Sequence, residues 1–470
     1  MQLFGPPNVE KMKAKNDIEG LIKTLGYEKD AGVRNAAIEA LQGMGGSAVE
    51  MLITALNKES GSIRKEAVQQ VLRNIGAPAV EPLIKALRDK VTKWNAIETL
   101  GKIGEPALEP LGTELLNENK DVRADAARAL GTIANPKAVE PLIAVLKDAY
   151  PDVVSAAAAA LGKIGEPAIK PLCIALLDEN KILRAGAAMA LGWIGDPKAV
   201  KPLVSVLNDT EEIVRSQAAI ALGNLGDPKA INSLIQALKD KEATVRAAAA
   251  EALGKVGDAR VSPSTYNKAI KGLDVNMMLN GGFAVAVIGG TNLANFLNSR
   301  PKERTTAEQI GEPAIQPLIL VLKDTNLPVR EQAALALGKL GEPAVDPLIR
   351  IMSDQESSVR AYAALALGSI GDKKALDALL SALMDPSGEV RKFAAFALGL
   401  LEDPVAVEPL SRILLNDADS KVRTAAAMAL GLIKDIKALG TLESVLRRGE
   451  GMDVGSATGF ALSMLGHPVH

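Results

Sequence analysis

The sequence predicts an all-α protein, a right-handed α-α superhelix of about fifteen helical pairs. Three observations carry that expectation. The 470-residue chain aligns on itself at a period of about thirty residues. Gly and Pro recur at the same places in most periods, and the second half of a period is typically an Ala-rich run opened by a Val-Arg pair. Gly, Pro and aliphatic residues are spread so evenly that no linker stands out, which fits one extended array better than several globular domains.

The period is legible in GEPALEPLGTELLNENKDVRADAARALGTIA from Gly104, GDPKAVKPLVSVLNDTEEIVRSQAAIALGNLG from Gly195 and GEPAVDPLIRIMSDQESSVRAYAALALGSIG from Gly341. Gly closes one helix, and an Asp or Glu stands before Pro at the next start, where an acid can cap free amides. A second proline about a turn later, such as Pro110 or Pro202, loosens the first turn of the first helix. A polar turn follows, and then the second helix. Its anchors are Arg34, Arg64, Lys93, Arg123, Val154, Arg184, Arg215 and Arg246, then Arg330, Arg360, Arg391, Arg423 and Gly455. Offsets +3, +4, +7 and +10 from each anchor are apolar or small and form one stripe toward the neighbouring layer. Alanine dominates that stripe, so close helix packing is expected.

On this frame residues 1–16 form a polar cap, 17–257 and 310–470 are regular repeats, and 258–309 hold two degenerate pairs and a possible bend. The degenerate stretch contains NMMLNGGFAVAVIGGTNLANF, residues 276–296, with two Gly-Gly pairs and no charge. Its strongly apolar core, Phe283 to Ile288, is far shorter than the roughly 20 residues a membrane span needs. No Gly-Lys-Ser/Thr follows either pair, which excludes a Walker loop. Close packing through Gly282, Ala286 and Gly290 within the array is the expectation, with a recognition point or bend as the alternative.

In seven units an Asp stands six positions before the anchoring Arg: Asp178, Asp209, Asp240, Asp324, Asp354, Asp385 and Asp417 before Arg184, Arg215, Arg246, Arg330, Arg360, Arg391 and Arg423. A position repeated through a stacked array is normally architectural, so each Arg is expected to pair with turn carboxylates and carbonyls of its own and the next unit. A strip for binding anions is the alternative.

These motifs resemble the HEAT-repeat family, in its short form found in phycobilisome-lyase-like proteins. The resemblance covers roughly 17–257 and 310–466 and is specific for fold. Such repeats serve scaffolds, adaptors, bilin lyase subunits, a diiron hydroxylase and some DNA-repair enzymes. The resemblance also implies that second helices line an inner surface.

That surface is where the two arms of the array differ. Offsets +2, +5 and +9 point away from the packed stripe. In the first units they hold Glu39, Glu66, Gln69, Arg73, Glu98, Lys102, Asp125 and Arg128, an ordinary solvated face. In the last units they hold Tyr362, Leu365, Phe393, Phe396, Leu400, Met428, Leu432, Phe460 and Met464, with Trp193 and Ile220 as earlier outliers. A contiguous apolar strip with aromatics is expected to bind a partner polypeptide, unless neighbouring helices bury it. The C-terminal segment DVGSATGFALSMLGHPVH lacks the polar face of a capping repeat, so self-association through that end is also expected.

Composition narrows the chemistry. A net charge of −2 and 3% aromatic residues give neither a field for polyanions nor platforms for stacking bases, so no nucleic-acid partner is expected. The single cysteine, Cys173, rules out an internal disulfide and suits a cytoplasmic protein without a signal peptide. Its place in KPLCIALLD matches Ile143 in EPLIAVLKD, read as a core-facing position. His467 and His470 are the only histidines, too few for the His-Glu pairs of the hydroxylase or for a His-based triad. No metal, cofactor or catalytic residue is therefore expected. The reading is a non-enzymatic scaffold or adaptor; a bilin lyase-like enzyme or subunit is the alternative, implied by the resemblance alone.

Overall fold

The computed structural model describes residues 6–58, 63–257 and 308–467. Among these residues every regular element is a helix, arranged as thirteen helical pairs preceded by the short helix Val9–Ala14. The two degenerate pairs and the bend expected over 258–309 lie outside the described residues, apart from the start of the helix Glu308–Val321.

Numbering only the second helix of each pair, the array runs α1 (Ala31–Met44), α2 (Ile63–Ile75), α3 (Lys93–Ile103), α4 (Lys120–Ile133), α5 (Pro151–Ile164), α6 (Lys181–Ile194), α7 (Glu212–Leu225), α8 (Ala243–Gly257), α9 (Leu327–Leu340), α10 (Ser357–Ile370), α11 (Gly388–Leu401), α12 (Ser420–Ile433) and α13 (Met452–Met464). The chain divides into two compact units, Met1–Pro202 and Leu203–His470. The first contains α1 to α6 and the second α7 to α13.

Local chemistry accounts for each pair. Two kinds of corner join a second helix to the next first helix. At Gly195 and Gly226 the chain turns through the left-handed region, and Asp196 and Asp227 accept the amide hydrogens of Lys198 and Lys229. Gly104, Gly165 and Gly341 turn instead with φ near 80° and ψ near −130 to −145°, and Glu105, Glu166 and Glu342 make no cap. The expected acid cap thus holds for Asp and fails for Glu. Each Glu reaches a lysine one repeat on: Lys137, Lys198 and Lys374 at 2.5, 2.7 and 2.8 Å. The second proline also has its place. In four-residue terms, a 3₁₀ turn such as Glu105–Ala107 precedes the α-helix Leu108–Glu114, so Pro110 falls at the third α-helical position. The amide missing there would have had no helical partner anyway.

Close stacking rests on one repeated glycine. A Cβ at Gly131, Gly223, Gly254, Gly368 or Gly399 would lie 2.6 to 2.8 Å from the Cα of an alanine on the next second helix. No side chain fits there, so the backbones approach as closely as helices can. Gly254 meets Ala336 in the same way that Gly223 meets Ala252. α8 and α9 are therefore stacked neighbours within the second unit, although residues 258–307 separate them in sequence.

Candidate interaction surface

The face at offsets +2, +5 and +9 is the one the fold leaves available, because first helices and neighbouring layers cover the rest of each second helix. On α2 to α4 it is polar, but not uniformly solvated as expected. Asp125 is buried, held by Lys93 at 3.2 Å and Arg128 at 2.5 Å. Gln69 is also buried and accepts a hydrogen bond from Lys102. Buried polar groups need such partners; Lys93 and Lys102 come from the adjacent layer and Arg128 from the same helix. Trp193 is 47% exposed and Ile220 is half-buried.

The C-terminal strip departs further from expectation. Tyr362, Leu365, Phe393, Phe396 and Leu400 are all buried, none more than 3% exposed. They cannot present a free surface to a partner. The rings of Tyr362 and Phe393 meet at 5.5 Å across α10 and α11. Arg330 lies over the Tyr362 ring and Lys392 over that of Phe393, at 5.5 and 4.3 Å. Burial pushes the Tyr362 phenol up to about 12 and pulls the Lys392 ammonium below its ordinary value. The remaining strip is accessible: Met428, Leu432 and Met464 are half-buried and Phe460 is 56% exposed. These four lie on α12 and α13, which pack together with the Met464 sulfur beside Gly431.

The Arg and Asp columns stand at the turns. Arg215 donates through Nε and one Nη to both oxygens of Asp240 at 2.6 and 2.9 Å, and through its other Nη to the carbonyls of Asp209 and Thr210. Arg246 with Asp324, Arg360 with Asp385 and Arg391 with Asp417 repeat the arrangement. Arg123 with Asp148 adds a rung outside the expected set. With four of the five guanidinium donors engaged, the fork serves the turn and the next layer rather than a free anion. The Arg360 guanidinium holds Asp385 below the usual carboxylate range against the opposing pull of burial. Two rungs differ. Arg423 turns to Glu450 at 3.0 Å. Asp354 is taken by Lys323 at 3.1 Å, while Arg330 keeps the Asp324 carbonyl and the Tyr362 ring. Arg184 bonds the carbonyls of Asp178 and Glu179.

Other candidate groups are scattered. Cys173 is half-buried rather than core-facing, and burial raises its thiol pKa. His467 is exposed, and His470 lies outside the described residues. Among the described residues no group of three or more His, Cys, Asp or Glu could hold a metal ion, and no helix is long and apolar enough to cross a membrane.

A family model for HEAT repeats matches residues 49–118, 108–181, 200–264, 315–387 and 376–463. The chain belongs to the HEAT-repeat family. Within it, the PBS lyase HEAT-like repeat matches residues 183–209. No curated protein matches this HEAT-repeat chain in sequence. Among solved structures it is similar to importin beta, at 16% identity and a TM-score of 0.51, over 96% of this chain and 61% of that one. Yeast importin-beta, Kap95p, is similar at 13% identity and a TM-score of 0.51, over 97% and 61%. The chain thus spans 61% of the length of either importin, and the likeness is one of fold. The complex of CpcE and CpcF of phycocyanin lyase from Nostoc shares 31% identity over 32% of this chain and 98% of that one, with a TM-score of 0.30. That likeness is too local to carry function.

Proposed function

We propose that this HEAT-repeat protein is a non-enzymatic scaffold or adaptor that binds a partner polypeptide through α12 and α13. The observation that carries the reading is Phe460, an aromatic left 56% exposed beside half-buried Met428, Leu432 and Met464. An accessible aromatic among flexible thioethers is the composition of adaptable protein-binding surfaces. A net charge of −2 supplies no pull toward a polyanion, so the partner proposed is a protein. A second copy of the chain is one such partner.

The test compares the intact protein with a Phe460→Ser, Met464→Ser variant, in affinity capture from native lysate and in light scattering. Loss of a captured polypeptide, or of a dimer, from the variant alone supports the surface. Equal capture and equal mass for both proteins reject it. Bilin transfer by the intact protein would replace the scaffold reading with a lyase.

A further inference from the structure

We propose that the polypeptide bound at α12 and α13 presents a single carboxylate, from an Asp or Glu set among apolar residues, to Lys392 at the margin of that surface. The inference rests on the scaffold reading and names the chemistry of its partner. Lys392 stands at offset +1 on α11. Two layers of the first unit show what that offset meets. Lys65, at +1 on α2, reaches Glu98, at +5 on α3, at 3.3 Å. Trp94, at +1 on α3, lies under the guanidinium of Arg128, at +5 on α4, at 5.9 Å. Offset +1 of one layer thus faces offset +5 of the next. By that register Lys392 faces Met428 on α12, so the position that gives Lys65 its counter-charge gives Lys392 a thioether.

Lys392 is half-buried, its ammonium lies over the Phe393 ring at 4.3 Å, and among the described residues it forms no ion pair or hydrogen bond. Burial, with Lys421 adding to it, pulls the ammonium below its ordinary value against the opposing pull of Glu389, Asp419 and Glu331. A cation partly withdrawn from water and left without a counter-charge has lost hydration that only an incoming anion restores. The surroundings set the class of that anion. Met428, Leu432, Phe460 and Met464 line the accessible surface beyond it, so the residues flanking the charge must be apolar to bury against them. Glu389, Asp419 and Glu331 lie near enough to act on the ammonium and would repel a row of phosphates, whereas one carboxylate matches the one unpaired cation.

The test selects a phage-displayed library of random peptides on the full-length protein and, in parallel, on its Lys392→Met and its Phe460→Ser, Met464→Ser variants. Peptides enriched on the unsubstituted protein are expected to carry an Asp or Glu flanked by apolar residues. Lys392→Met should still enrich apolar peptides but without the acid, and the Phe460→Ser, Met464→Ser protein should enrich neither. An enriched peptide remade with the amide in place of its acid should bind the unsubstituted protein about tenfold more weakly and the Lys392→Met protein equally. The comparison of acid and amide peptides on the unsubstituted protein needs no variant of the chain, so it stands even if Lys392→Met fails to fold. Enriched peptides that lack an acid, or acid and amide forms that bind the unsubstituted protein equally, overturn the role of Lys392 and leave the scaffold surface standing. Enrichment that survives the loss of Phe460 and Met464, or none on any of the proteins, overturns both.

Discussion

Gly368→Ala tests whether backbone contact, rather than side-chain interdigitation, holds the layers together. Gly368 lies inside α10, where a Cβ would sit 2.6 Å from both the Cα and the Cβ of Ala397 on α11. Carbon atoms in contact prefer about 3.5–4.0 Å, so the helices must part by about 1 Å. Overpacking of this kind costs about 1–3 kcal/mol. The opposing gain, from replacing an interior helical glycine, is about 0.5–1 kcal/mol. Because the obstruction is backbone and cannot rotate away, the cost wins by about 1–2 kcal/mol. In a domain of this size that lowers the midpoint of thermal unfolding by about 2–8 °C. Gly112→Ala, on the first helix Leu108–Glu114, is the control: nothing lies within 4 Å of its added Cβ, so the helical gain remains and the midpoint rises. Midpoints followed by circular dichroism suffice, since repeat arrays need not unfold in one step. If Gly368→Ala melts as high as Gly112→Ala, the close-approach account is wrong.

Further predictions concern charge. Arg360→Leu removes the fork from Asp385 and leaves a carboxylate that is 11% exposed without its counter-charge, at a cost of about 2–3 kcal/mol; Arg360→Lys, which loses the bidentate geometry alone, should fall between this and the unsubstituted protein in urea denaturation. The exposed Lys198–Glu166 pair is different, and Glu166→Gln should leave the urea midpoint unchanged. On acidification, Asp148, Asp240, Asp324, Asp385 and Asp417, all held below the ordinary carboxylate value, contribute stability that is complete above the unfolded carboxylate range and is lost as pH falls through their folded values. A midpoint independent of pH between neutrality and strong acid would contradict this. At the alkaline end the sign reverses: Tyr362 stays protonated to about 12 when folded and ionises near 10 when unfolded, so stability falls across that interval and Tyr362→Phe should remove that part of the slope.

Period, helix pairing and the Arg-Asp turns were legible because each follows from a local rule repeated many times. An αL glycine, an N-capping Asp and an Arg two turns from a carbonyl are all set within about ten residues. What the sequence hid depends on residues far apart. Arg123 and Asp148 escaped the ladder because Asn117 stands six positions before Arg123 and Val154 six positions after Asp148, although Arg123 binds Asp148 across the layer in the common way. Glu105 and Asp196 look equivalent before Pro, yet the extra methylene takes the Glu past its own amides to a lysine one repeat on. Helical offsets likewise told which way Phe393 points but not what it meets.

That last distinction bears on how a solenoid can be read for function. An apolar residue at a position facing away from the stack is informative only if the stack alone decides its exposure. Here Phe396 and Phe460 occupy the same offset, +5, on α11 and α13, yet they are 1% and 56% exposed. α11 is flanked by α10 and α12, whereas α13 is the last second helix among the described residues, so the same offset meets different neighbours. In a perfect array every layer would offer the same environment, and composition would map directly onto binding surface. Large rings that pack across layers, as Tyr362 does on Phe393, spoil that mapping. Of the C-terminal strip, the apolar positions left accessible are those on α12 and α13.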